Sequence, residues 1–285
     1  MSDNDKSVAV IGAGTMGRGI AQVFAQSGYD AYMFDTVPAA LESASKQIGK
    51  MLSKAVEKGK MSAEDAEAAK KRLHLVNALS DIGARPLIVE AATEKLEIKI
   101  ELLKELQTHV ADGGILASNT SSISITQLAA QTEHPDRFIG MHFFNPVPLM
   151  KLVEVVRGLQ TSDDTVKRTI ELAKAVGKTP VECNDHPGFV SNRVLMPMIN
   201  EAIFTLQDGV AEPEAIDEIM KLGMNHPMGP LALADLIGLD VCLFILEVLH
   251  RDLGEDRYRP CPLLRKKVLA GMLGRKTKNG FYSYE

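Results

Sequence analysis

Residues 7–17 read SVAVIGAGTMG: a short apolar run passes through Gly12, Gly14 and Gly17 directly into a segment with helical spacing, GRGIAQVFAQSG. No other feature constrains the fold as much. A strand that runs through glycines into a helix opens a Rossmann-type βαβ unit. Gly12 permits the tight turn, Gly14 lets the backbone approach a pyrophosphate, and Gly17 lets helix and strand pack closely. The helix N-terminus adds free N–H groups and the positive end of its dipole. The loop Gly12, Ala13, Gly14, Thr15, Met16 and Gly17 is therefore a candidate phosphate cradle. Glycines alone recur in many loops; the strand before them and the helix after them make this reading specific.

A second strand, DAYMFD, ends in Asp35, 23 residues after Gly12. A carboxylate there accepts hydrogen bonds from the adenosine ribose hydroxyls and repels an additional 2′-phosphate. No Arg follows at 36 or 37, so NAD is preferred over NADP. The fingerprint by itself leaves FAD open. The plain alternative is that Asp35 only ends a strand or caps the next helix.

Strand and helix signals alternate onward. Pro38 can open a long helix, Ser62 with Asp65 is a capping pair ahead of EDAEAAKKR, and KLEIKIELLKELQTHV is amphipathic. Strands are expected at 86–92, 114–121 and 137–144, then at LVEVVRG and TPVECND around the helix SDDTVKRTIELAKAVG. Such alternation implies a parallel sheet with crossovers. After about Asp185 the pattern becomes helical, with no convincing strand before the last few residues. The expected architecture is α/β: a Rossmann-type NAD-binding domain over 1–185, then an all-helical C-terminal domain over 186–285. Apolar side chains such as Leu195, Met196, Met198 and Leu206 exceed what one small core needs. The helical part is therefore expected to pack on the first domain or on another copy, as in a homodimer.

Charge and cysteine usage narrow the functions. The net charge of −5 gives no general attraction to nucleic acid or to an anionic membrane, so no nucleic-acid partner and no membrane partner is expected. Asp235, Asp240 and Glu247 interrupt the most apolar stretch, 228–249, which reads as buried helices. Cys183, Cys242 and Cys261 have neither disulfide nor zinc-ligand spacing. With no signal or transit pattern at the N-terminus, the expectation is a cytoplasmic protein with no metal site.

The chemistry is concentrated in HFFNPVPLMKLVEVV, residues 142–156. His142 and Glu154 stand in apolar strand-like segments late in the α/β part. The Asn145-Pro146-Val147-Pro148 turn lets those segments lie side by side. The bland reading makes His142 a satisfied core histidine and Glu154 a residue of a surface edge strand. Yet ligands of such sheets bind at the carboxyl ends of the strands. There an imidazole suits proton removal from an alcohol, and a carboxylate on its far nitrogen fixes the tautomer. Ser118-Asn119-Thr120-Ser121-Ser122 follows another strand. Ser122 could cap the next helix while Ser121 faces the crevice. Asn192 is a polar residue in an apolar helix, and a buried amide joining two domains is its plain reading.

GAGTMGRGIAQ, VEAATEKLEIK, SNTSSISIT, GMHFFNPVPLMKLVEVV, PGFVSNR and HPMGPLALADLIGLD together resemble the L-3-hydroxyacyl-CoA dehydrogenases. The likeness runs from about residue 7 to the end and is strongest to the bacterial 3-hydroxybutyryl-CoA branch. It implies an NAD-binding α/β domain, a helical domain that dimerises, and an acyl-CoA substrate. It makes His142 the acid/base, Glu154 its partner, and Ser121 and Asn192 the groups that orient the substrate oxygens. Glu94 and Lys99 match positions lining the NAD site, with Asn119 at its nicotinamide end. Lys54 and Lys58 match lysines that hold CoA, although exposed lysines are more often a solvated face. Two rivals are kept: a dehydrogenase of a free 3-hydroxy acid or sugar acid on the same scaffold, and a non-enzymatic NAD-binding protein. Short-chain dehydrogenase chemistry is disfavoured, since no Tyr-x-x-x-Lys occurs.

Overall fold

The computed structural model describes residues 6–285. The chain divides into two compact units, one ending at Asp185 and one over His186–Glu285. The first unit is built on eight strands: β1 Ser7–Ile11, β2 Asp30–Phe34, β3 Leu73–Val76, β4 Arg85–Glu90, β5 Val110–Ser118, β6 Phe138–Phe143, β7 Leu152–Arg157 and β8 Thr179–Asn184. Their order in the sheet is β3-β2-β1-β4-β5-β6-β7-β8. The first six therefore follow the 3-2-1-4-5-6 order of doubly wound dinucleotide folds. Neighbours pair in parallel except β6 with β7, which is antiparallel. Among the described residues six α-helices accompany the sheet: α1 Thr15–Gln26, α2 Pro38–Glu57, α3 Ala63–Lys71, α4 Leu96–Leu106, α5 Ile125–Ala129 and α6 Asp163–Ala175.

Burial explains why the strand segments read as unbroken apolar runs. Every residue of β1 is buried, as expected of a parallel strand covered on both faces. The core joins Val8, Val10, Ile20, Phe24, Met33 and Leu41, drawing on β1, β2, α1 and α2. Each such side chain withdrawn fully from water contributes roughly 1.5–3 kcal/mol. The strand β3 is absent from the expectations above. Its four residues, LHLV, are partly buried or exposed at the sheet edge and carry a histidine, so they lack an apolar-run signal.

Two glycines show why the first loop cannot hold other residues. Gly12 adopts φ +108°, and a Cβ there would come within 2.5 Å of the Ala91 carbonyl oxygen. A Cβ at Gly17 would collide with the Gly12 carbonyl oxygen, so the loop folds back onto its own helix.

The second unit is helical: α7 Ser191–Gln207, α8 Pro213–Gly223, α9 Pro230–Ile237, α10 Leu239–Leu253 and α11 Pro262–Leu269. Its core gathers Met196, Ile199, Ile203, Leu231, Leu246 and Leu249. Two buried carboxylates tie it together. Asp217 accepts from Leu231 N (2.8 Å), Ala232 N (2.9 Å) and the Tyr282 hydroxyl (2.8 Å). Asp235 accepts from Phe281 N (2.9 Å), Tyr282 N (3.0 Å) and the Tyr284 hydroxyl (2.9 Å). The C-terminal residues are thus held by hydrogen bonds to buried charge. Gly238, at φ +106°, separates α9 from α10 within the apolar stretch 228–249. Among the described residues no helix is long and apolar enough to cross a membrane.

Candidate active site

Strand register assembles the site at one end of the sheet. Phe34, Ile11, Glu90, Ser118 and Gly140 are successive partners across β2, β1, β4, β5 and β6. Immediately beyond this row come Asp35, the Gly12–Gly17 loop, Ala91–Glu94, Asn119–Ser122 and His142. Backbone bonds extend the ladder past the strand ends: Gly12 N to Phe34 O (2.8 Å), Ala91 N to Ile11 O (2.8 Å) and Asn119 N to Glu90 O (2.7 Å). These carboxyl ends face the ligand crevice in open α/β sheets.

The dinucleotide side fits its expected group. Gly14 is the N-cap of α1 and has no side chain to cap with, so the first-turn N–H groups remain for a ligand. A Cβ at Gly14 would meet nothing within 4 Å, which leaves open space where a pyrophosphate would lie. Thr15 is exposed and Met16 half-buried beside it. The half-buried Asp35 carboxylate accepts from Ala13 N (2.7 Å) and Val37 N (2.9 Å). It therefore props the glycine loop, and further lone pairs remain on both oxygens for ribose hydroxyls.

Beneath the neighbouring loops lies a buried ion pair. Glu90 is 0% exposed and Lys99 2%, and their charged atoms stand 2.5 Å apart. Glu90 also accepts from Ser118 Oγ (2.6 Å) and Ala92 N (2.8 Å). Lys99 thus has its ammonium turned to Glu90 and carries no exposed charge. Glu90 has no place among the candidates above. The only trace of it in the sequence is one acid at the end of the apolar run PLIVE.

Glu94 is exposed and staples the next loop. It accepts from Thr120 Oγ1 (2.6 Å) and Ser121 N (3.0 Å), with Ser121 Oγ at 3.5 Å. Asn119 is buried, and its Oδ1 accepts from Phe143 N (2.9 Å), which ties the β5 end to the residue after His142. The helix cap differs from the expectation. Ser124, not Ser122, caps α5, by accepting from Gln127 N at 3.1 Å, because α5 begins only at Ile125. Asp185 in turn accepts from Ser124 Oγ (2.7 Å) and Thr126 N (2.8 Å).

His142 and Glu154 are direct partners across the antiparallel pair β6–β7. His142 is 7% exposed and Glu154 3%, so the surface-edge reading of Glu154 does not hold. Nδ1 of His142 lies 2.7 Å from Glu154 Oε2. A carboxylate only accepts, so Nδ1 carries the proton in this contact and Nε2 keeps its lone pair in the neutral ring. The Phe144 ring stacks at a tilt, 4.6 Å from the imidazole centroid. The arrangement can take up a proton at Nε2 and hold the resulting imidazolium against a buried anion.

Other groups contribute less. On β8, burial pushes the Cys183 thiol up to about 12, and the charges of Glu154, Asp185 and Glu182 add to this. Burial does the same to Cys242. Neither offers a thiolate nucleophile at neutral pH. Lys54 in the last turn of α2 and Lys58 at its C-cap are both exposed. Asn192 is buried in the first turn of α7, in the second unit.

Residues 7–186 match the family model for the 3-hydroxyacyl-CoA dehydrogenase NAD binding domain, and residues 188–284 match that for the C-terminal domain. A probable 3-hydroxybutyryl-CoA dehydrogenase of Deinococcus radiodurans is 59% identical over 275 residues, covering 96% of this chain and 99% of the relative. A 3-hydroxybutyryl-CoA dehydrogenase of Bradyrhizobium diazoefficiens is 50% identical, covering 98% of this chain and 95% of the relative. The crystal structure of (S)-3-hydroxybutyryl-CoA dehydrogenase from Ralstonia eutropha is similar at a TM-score of 0.95 and 49% identity, covering 99% of this chain and all of that one.

The buried pair generates a stability prediction. Lys99→Met leaves Glu90 charged and without a counter-ion in the interior, at a cost of about 3–5 kcal/mol. The melting temperature should fall by roughly 6–20 °C in a thermal scan. Adding Glu90→Gln should recover part of the loss, since the neutral amide still accepts hydrogen bonds. A single variant that melts with the wild type would show that the pair carries no such weight.

Proposed function

This chain belongs to the 3-hydroxyacyl-CoA dehydrogenase family, and we propose that it interconverts (S)-3-hydroxybutyryl-CoA and acetoacetyl-CoA with NAD. It is an NAD-dependent oxidoreductase acting on a CH–OH group. The observation that carries the residue assignment is the His142–Glu154 contact of 2.7 Å at the carboxyl end of β6, on the same edge of the sheet as the glycine loop. The names of the relatives support the short acyl chain.

In oxidation, Nε2 of His142 accepts the proton of the substrate's 3-hydroxyl, and in reduction it returns it. Glu154 holds the ring by Nδ1 and stabilises the imidazolium that forms. NAD, when bound, would accept the hydride that leaves C3 of the substrate. Ser121 orients a substrate oxygen by hydrogen bonding, and the family resemblance gives Asn192, on α7 of the second unit, a like role. Asp35 and the Gly12–Gly17 loop hold the adenosine and pyrophosphate, and Asn119 lies toward the nicotinamide. Glu94 keeps the Ser121 loop in place, and Lys99 acts on the site through Glu90. Lys54 and Lys58, exposed at the end of α2, meet the CoA phosphates, which a chain of net charge −5 must hold with local cations.

Two further parts of the reading concern assembly and location. The helical unit exposes Ile219, Leu222 and Met224, each more than half accessible, and pairing of two copies through this unit would cover them. Three free cysteines suit a reducing cytoplasm.

His142→Gln should lower kcat by about 10²–10⁴-fold with NAD binding nearly intact, and Glu154→Gln should be similarly damaged. Near-normal turnover by His142→Gln would overturn the assignment of roles. The wild type should oxidise NADH with acetoacetyl-CoA and not with free acetoacetate. Equal use of the free acid would move the substrate class to the unesterified 3-hydroxy acids. Light scattering should give twice the chain mass of 31.0 kDa; a monomer at micromolar concentration would rule out the dimer.

A further inference from the structure

Lys178 follows α6 and Gly177 and leads into β8. It is 8% exposed, yet both of its hydrogen-bond partners are carbonyl oxygens: those of Val147 and, at 2.8 Å, Met150. No carboxylate lies within ion-pair distance of it among the described residues. Burial pushes its pKa below the ordinary lysine value. An ammonium kept indoors without a counter-ion is costly, and an apolar side chain would fill the space at lower cost. What the ammonium does there is bridge two carbonyls of one loop.

That loop joins the strand of His142 to the strand of Glu154. Leu149 N and Met150 N both donate to Pro146 O (2.9 and 3.0 Å), which makes Pro146–Met150 a single turn. The turn is gripped from a second side. Val147 is 1% exposed and sits on Gly19 of α1, the helix that opens at the glycine loop. A Cβ at Gly19 would come 2.8 Å from Val147 Cβ and 3.0 Å from its Cγ2, so no side chain fits between them. Nearby, Thr179 N donates to Lys151 O (2.7 Å), joining the start of β8 to the residue before β7. The turn is therefore clamped between the phosphate-binding helix and the start of β8.

We propose that Lys178 is a positioning residue for turnover: by holding the Val147 and Met150 carbonyls it seats the Pro146–Met150 turn on α1, and so sets where His142 stands relative to the bound dinucleotide. A displacement of the order of 1 Å at a reacting group can cost about 10²-fold in rate. The carbonyls that Lys178 holds belong to the turn and not to His142 or Glu154, so its influence runs through the turn.

The test measures kcat, KM for acetoacetyl-CoA and the NADH dissociation constant for Lys178→Met and Gly19→Ala, well below their melting temperatures and per folded molecule. Gly19→Ala disturbs the same seat from the α1 side and keeps the lysine. Both should lose about 10–100-fold in kcat, with KM and NADH affinity within about threefold of wild type. If Lys178→Met does not fold, Gly19→Ala decides alone by the same criterion. Wild-type kcat in either folded variant overturns the proposal, whatever happens to the melting temperature. So does loss of NADH binding in step with kcat, which marks general damage. The inference rests on His142 acting as the acid/base. A wild type inactive on acetoacetyl-CoA would sink that reading, whereas an active wild type with unaffected variants would sink only the role of Lys178.

Discussion

Two titratable side chains on neighbouring antiparallel strands are withdrawn from water together, and the proposed chemistry depends on their contact. A buried carboxylate without a partner is expensive, and so is a buried imidazolium. Facing each other at 2.7 Å, Glu154 and His142 answer both costs. The contact also breaks the symmetry of the ring: Nδ1 is committed to Glu154, which makes Nε2 the nitrogen at which the proposed mechanism exchanges its proton. Directly opposed residues in an antiparallel pair have Cβ atoms about 4.5–5.5 Å apart. A slip of one residue would turn one of the two side chains to the other face of the sheet. The proposed function therefore rests on the register of the β6–β7 hairpin, in which His142 pairs with Glu154.

The same device recurs around the strand ends. Asp35 receives the amide of Ala13, Glu90 that of Ala92, Glu94 that of Ser121, and Asp185 that of Thr126. In each case a carboxylate on one segment accepts a backbone N–H, three times from another loop or helix start and once from its own. These bonds tie the loops at the rim to the sheet and to one another. A ligand meeting such a rim loses less ordering entropy than one that must organise the loops itself. Proton and hydride transfer also tolerate little misplacement.

Much of this is legible in the sequence, for physical reasons. The strand–glycine–helix opening is readable because Gly12 and Gly17 sit where a Cβ would strike backbone, so no other residue type can stand there. The proximity of His142 and Glu154 is readable because an Asn-Pro turn follows the first and an apolar strand carries the second. What stays hidden is what has no periodic or compositional mark. The edge strand β3 is four residues long, carries a histidine and has no buried residue. Glu90 and Lys99 are nine residues apart on different elements, and only the fold shows that both are buried. The cap of α5 stands two residues later than expected, since any serine in SSIS suits that role by type. Lys178 looks like an ordinary helix-terminal lysine until the two carbonyls above it are seen.

Central to the proposed mechanism is that Glu154 fixes the tautomer of His142, so that Nε2 carries the proton of the reaction. The direct measurement is the ¹⁵N–¹H spectrum of enzyme labelled at histidine, with the His142 resonances identified by their absence from His142→Gln. In the neutral ring, a proton is predicted on Nδ1, shifted downfield by its bond to the carboxylate, with a bare Nε2. A neutral ring with its proton on Nε2 and a bare Nδ1 would contradict it.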